Sequence, residues 1–111
     1  MNFQILTYEE KNNLIWIGFG KHEKKSMTTF TRETLEEMKE AIKAVQANKT
    51  AKGLVFFSHK PGVFLAGVDV TVINSLKTEA EALRALDEAH AMFNAIDDLK
   101  IPTVALVDGV C

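Results

Sequence analysis

Val63-Phe64-Leu65-Ala66-Gly67-Val68-Asp69-Val70 is the stretch from which the rest of the chain can be read. It follows an apolar β-type run, Gly53-Leu54-Val55-Phe56-Phe57-Ser58, and a punctuating His59-Lys60-Pro61-Gly62 turn, which places it where a buried strand leaves its sheet. Exits of that kind are where α/β proteins put their sites. Ala66 and Gly67 carry almost no side chain, so a ligand can approach the main chain closely, and Gly67 can take dihedrals closed to other residues. That leaves the Val68 N–H free to point outward as an oxyanion-type donor. Asp69, before Val70, Val72 and Ile73, reads as the start of a short helical turn whose unpaired N–H groups favour negative charge. Taken alone, these eight residues read first as an ordinary turn, since a glycine after a strand is most often just that; the neighbouring segments raise the functional reading.

Outward from this point the chain alternates strand and helix patterns. Residues 3–9 and 14–20 are rich in large apolar side chains and flank Glu10-Lys11-Asn12-Asn13, as two strands flank a hairpin loop. Leu14, Trp16 and Gly18 alternate with Ile15, Ile17 and Phe19, so both faces of the second strand are expected to be covered, with Trp16 in the core. Thr31 is the expected N-cap of a helix whose packed stripe is Leu35, Met38, Ile42 and Val45. Its other positions carry charge, including the spacings Glu36–Glu40 and Lys39–Lys43. Thr78 opens a second helix over residues 78–98, with Leu83, Leu86, Phe93 and Ile96 expected on its buried side and His90 as a core or boundary residue. Ile101-Pro102 then starts a further buried strand running to Asp108-Gly109. This order of elements predicts an α/β fold with crossover helices.

The 111 residues suffice for one domain or part of one, and 47% hydrophobic with 25% charged residues describes an ordinary globular chain. A formal charge of −2 argues against nucleic acid or an anionic membrane as the main partner. No apolar run reaches the roughly 20 residues that span a bilayer, and no signal-peptide pattern opens the chain, so a cytoplasmic location is expected. Cys111 is the single cysteine, which supports neither a disulfide framework nor a zinc site, and no metal is expected. It also stands just past a strand and its turn, so a continuation beyond it is expected. No dinucleotide, P-loop, serine-hydrolase or zincin motif occurs.

Three blocks together resemble the crotonase (enoyl-CoA hydratase/isomerase) superfamily, most of all the N-terminal region of multifunctional fatty-acid β-oxidation α-subunits. They are Lys25-Ser26-Met27-Thr28-Thr29-Phe30-Thr31, the segment from Gly53 through Ile73, and Leu99-Lys100-Ile101-Pro102-Thr103-Val104-Ala105-Leu106-Val107-Asp108-Gly109. The resemblance implies that residues 1–111 are the N-terminal part of a crotonase-like ββα spiral fold. It implies an acyl-CoA thioester partner, with coenzyme A entering as part of the substrate and no separate cofactor, and a trimeric or αβ assembly for the complete protein. The family's A-G-x-D motif falls on Ala66, Gly67, Val68 and Asp69, with the Val68 N–H as first oxyanion donor. Lys25 is implied as a coenzyme A phosphate contact, and Leu65 and Ala66 as main-chain contacts to its adenine-pantetheine arm. The chain departs from the family at Thr28, where asparagine is usual, and at Thr71, where some relatives carry a phosphate-binding lysine. The implied second oxyanion donor, in a Gly-Gly-Gly segment, and the acid/base glutamates would lie beyond Cys111. Two functions follow as expectations. One is hydration or isomerisation of an enoyl-CoA through an enolate-like anion; the other is a non-catalytic module that binds coenzyme A or partners without turnover.

Overall fold

The computed structural model describes residues 3–22, 28–109 and 111. The chain forms strands β1 (Thr7–Lys11) and β2 (Leu14–Phe19), helix α1 (Arg32–Ala47), strand β3 (Gly53–Ser58), helices α2 (Val70–Ser75) and α3 (Glu79–Asp97), and strand β4 (Thr103–Ala105). One four-stranded sheet runs β1-β2-β3-β4, antiparallel between the first pair and parallel thereafter. The α/β layering expected from the element order is therefore present, with α1 as the crossover between the parallel strands β2 and β3.

The hairpin is tighter than the four-residue loop expected. Asn12 and Asn13 take φ of 56° and 66°, as a two-residue turn of matching twist requires, and asparagine tolerates that region at low cost. Glu10 and Lys11 are consequently strand residues, paired with Ile15 and Leu14. On β2, Ile15 and Ile17 are completely buried and Phe19 nearly so, which fixes their face as the core face. Trp16 lies on the opposite face, half-buried against Phe57 at 5.9 Å, with its indole N–H directed at the Lys11 carbonyl oxygen. It covers the back of the sheet and is not the core residue expected, because alternation sends it away from Ile15 and Ile17.

Helix α1 begins as its sequence suggests. Thr31 and Thr34 form a reciprocal capping box, and Met38, Ala41, Ile42 and Val45 are buried beside a half-buried Leu35. Like charges at Glu36–Glu40 and Lys39–Lys43 cannot attract one another. Lys39 instead faces Glu36 at 3.5 Å and reaches Glu88 of α3 at 3.7 Å. Glu37, on the same helix, takes the backbone N–H groups of Gln4, Ile5 and Leu6 at 2.9–3.2 Å and ties the approach to β1 onto α1.

Helix α3 presents a different side to the core from the one expected. Leu83, Leu86 and Phe93 are 52–55% exposed, and His90 is exposed with them. The protected stripe is Ala85, Ala89, Met92, Ala95 and Ile96, with Met92 buried. Small residues let α3 approach α1 closely, so the side with less apolar bulk is the packed one. β4 is also shorter and more open than the buried strand expected. Three residues pair with β3 alone, and Val104, Leu106 and Val107 are about half exposed, while Leu54 and Val55 beneath remain buried.

Candidate functional site

β3 delivers the chain to the candidate loop through a compact turn. The Ser58 hydroxyl accepts the Lys60 N–H at 3.0 Å and donates to the Lys60 carbonyl at 3.2 Å, and Gly62 adopts a φ of +77°. Phe64 then anchors the loop, buried edge-on against Phe19 at 5.8 Å. From there residues 66–69 run beside residues 28–30 as a short parallel ladder. Ala66 N–H donates to the Thr28 carbonyl at 2.7 Å, Phe30 N–H to the Gly67 carbonyl at 2.8 Å, and Asp69 N–H to the Phe30 carbonyl at 3.0 Å.

This ladder sets the direction of the candidate donor. Phe30 and Val68 form a parallel bridge in which Phe30 bonds to the residues on either side of Val68. Successive peptide groups in extended chain alternate sides, so the Val68 N–H and carbonyl point away from residues 28–30. Among the described residues the Val68 N–H has no acceptor, and Val68 is 53% exposed. Gly67 has a φ of +90°, strained for any residue with a Cβ, and a Cβ built there meets nothing within 4 Å. A main-chain donor beside open space is what was expected of this glycine.

Asp69 is already committed. Its carboxylate caps α2, accepting the Thr71 N–H at 2.8 Å and the Thr71 hydroxyl at 2.6 Å on one oxygen and the Thr29 hydroxyl at 3.2 Å on the other. The negative charge expected near the first turn of α2 is thus the chain's own, and Thr71 is a partner of the cap. Thr28, Thr29 and Phe30, a motif in the sequence, also clamp the loop, a role signalled there only by the β-prone Thr-Thr-Phe run. Leu65 is half-buried and lines an apolar cavity of about 390 Å³ together with Phe19, Phe30, Phe56, Phe64 and Phe93. Ala66 spends its N–H on Thr28, and Lys25 lies outside the described residues.

His59, at the start of the turn, sits beside Thr7 with Nε2 2.8 Å from the hydroxyl, and its ring meets Phe57 edge-on at 4.7 Å. Burial lowers its pKa below the ordinary 6.5, helped by the nearby positive charge of Lys21 and by His22 and opposed by Glu9. Gly18 makes room for that ring, since a Cβ there would fall 2.5 Å from Nε2. Among the described residues no group of three or more His, Cys, Asp or Glu is placed to hold a metal ion. Among the described residues no helix is long and apolar enough to cross a membrane.

A mixed β-sheet whose third strand feeds a clamped Ala-Gly-Val-Asp loop ahead of a short capped helix is the front of a crotonase fold, and the chain belongs to the enoyl-CoA hydratase/isomerase family, whose profile matches residues 9–111. Among relatives, the fatty acid oxidation complex subunit alpha of Pseudomonas putida (strain GB-1) is 41% identical over 87 residues, covering 77% of this chain and 12% of the relative. The subunit of the same description from Idiomarina loihiensis is 34% identical over 86 residues, again 12% of its length. Among solved structures, an enoyl-CoA hydratase from Shewanella pealeana superposes with a TM-score of 0.85 at 17% identity, over 96% of this chain and 40% of that one. An enoyl-CoA hydratase from Bacillus anthracis gives 0.80 at 14% identity, with 96% and 40% covered. The chain therefore spans about an eighth of the length of these relatives and two fifths of the structures that share its fold.

Proposed function

We infer that this chain supplies the thioester-binding front of an enoyl-CoA hydratase/isomerase site acting in fatty-acid oxidation, with the Val68 N–H as an oxyanion donor to the thioester carbonyl. The observation that carries this reading is the outward-directed, unpartnered Val68 N–H beside the side-chain-free space over Gly67. A thioester carbonyl that gains negative charge in an enolate-like transition state is stabilised by a donor already aimed at it, and loss of one such donor typically costs about 100- to 1,000-fold in turnover. Asp69 and Thr29 act at one remove, holding the loop in the conformation that aims the donor. The apolar cavity beside Leu65 offers the acyl portion a place next to the carbonyl. Lys25 is assigned to the coenzyme A phosphates, with Leu65 and Ala66 along its adenine-pantetheine arm. Asp69, the carboxylate adjacent to the donor, is spent on its cap, so the acid/base step of hydration is not assigned to it.

The test is titration of the ¹⁵N-labelled chain with crotonyl-CoA. Saturable shifts at the Val68 and Gly67 amides are expected, and they should vanish in Gly67→Val, which places a branched side chain in the open space and strains the positive φ. Undiminished binding in a folded Gly67→Val chain would reject the assignment.

A further inference from the structure

A second cavity, of about 330 Å³, opens where the first turn of α1, the end of α2 and the first half of α3 meet. Its charged lining is Arg32, Glu81, Arg84 and Glu88, and the four are unequally committed. Glu81 Oε2 accepts the Lys77 N–H at 2.7 Å, and Glu88 Oε2 lies 3.7 Å from the Lys39 ammonium. Ser75, also on the wall, donates its hydroxyl to the Val72 carbonyl at 2.7 Å. The two guanidinium groups, by contrast, have neither a hydrogen bond nor an ion pair among the described residues. Each carries five N–H donors in a planar fork that matches a carboxylate or phosphate edge.

We propose that this cleft is an oxyanion-binding site, separate from the Val68 loop, which takes a carboxylate or phosphate group of a small ligand between Arg32 and Arg84. The arginines come from different helices, so the site exists only once α1 and α3 are packed. The carboxylates on the wall keep their own partners and bound the charge that fits. A compact mono- or dianion gains fork-shaped donor pairs, whereas an extended polyphosphate would also meet Glu81 and Glu88. The site does not rest on the thioester reading.

The experiment is ¹⁵N NMR titration of the 111-residue chain with sodium phosphate and, separately, sodium succinate, each against sodium chloride at matched ionic strength. Saturable shifts are expected at the Ser75, Leu76 and Arg84 amides and at the arginine Nε signals. Arg32→Gln and Arg84→Gln should each weaken binding by about tenfold or more, as loss of a charge-assisted donor pair predicts. Lys49→Gln, just past the far end of α1, should leave it unchanged. Saturation by phosphate alone assigns a phosphorylated ligand, and saturation by succinate alone a carboxylate; either supports the site. Shifts that grow linearly, that chloride reproduces, or that survive both glutamine substitutions overturn it. Should a glutamine variant lose the dispersed Ile17 signal of the folded chain, Arg32→Lys takes its place, and undiminished binding there also overturns the proposal.

Discussion

Replacing Glu37 by alanine should cost this chain more than any of its surface ion pairs. One carboxylate holds three consecutive backbone N–H groups, and the chain they belong to leads directly into β1. The Gln4 N–H is exposed and will find water when the carboxylate is gone, so it contributes little. Those of Ile5 and Leu6 are partly buried, and the Leu6 side chain sits in the core. Two charge-assisted bonds at the lower end of their range, about 1.5 kcal/mol each, put Glu37→Ala near 3 kcal/mol. By comparison, Lys39→Ala removes the exposed contacts to Glu36 and Glu88 and should cost under about 1 kcal/mol. Domains of this size have about 5–15 kcal/mol in all, so the first loss is a substantial fraction and the second is not. Trp16, half-buried against Phe57, reports urea unfolding by fluorescence, and amide exchange at Ile5 and Leu6 reports the bonds directly. An alanine variant within about 0.5 kcal/mol of the parent, with exchange at those two amides unchanged, would show that the carboxylate is not what holds the segment.

Three further outcomes are expected. Thr28→Val should raise stability by about 0.5–1.5 kcal/mol in the same urea experiment, since Thr28 Oγ1 is buried with no hydrogen-bond partner among the described residues and valine keeps its shape. His59, held below its ordinary 6.5, leaves the unfolded chain with the greater affinity for the proton, so its contribution to stability is full above pH 6.5 and is lost as pH falls below that value through the lower pKa of the folded chain. The melting temperature of the parent relative to His59→Gln should therefore drop between about pH 7.5 and pH 5.5, and a flat difference would contradict the assignment. Lys25→Ala should weaken coenzyme A binding more at low than at high salt, measured calorimetrically; a salt-independent effect would leave Lys25 without the phosphate role.

How far the fold was legible depended on whether one residue or a comparison of surfaces carried the information. Thr31, Asp69 and Thr78 cap their helices where a short polar side chain before an apolar run predicts, because capping is decided within one turn. The unbroken apolar run Gly53–Ser58 became a parallel strand between two neighbours for an equally local reason. Helix α3 was different. It has two apolar sides, one of leucines and Phe93 and one of alanines with Met92, and periodicity cannot say which will meet α1. Close approach selects the small residues, a property of the pair of helices and of neither alone. Glu37 was hidden likewise, since a glutamate on the polar side of a helix reads as solvated until another segment brings its N–H groups to it.

At the site, glycine 67 announced a positive φ and an approachable main chain, and both are present. It did not announce where the next N–H would point. That direction comes from Phe30, whose bonds to Gly67 and Asp69 use up the peptide groups on either side and turn the Val68 N–H outward. Asp69, read from the sequence as the start of a helical turn, accepts three hydrogen bonds from Thr71 and Thr29 that brace the loop. A change at Asp69 is therefore expected to be felt at Val68 through loop geometry. Asp69→Asn, which keeps an acceptor for the Thr71 N–H, should accordingly preserve much more of the Val68 response to crotonyl-CoA than Asp69→Ala, which releases α2 and residues 28–30 together.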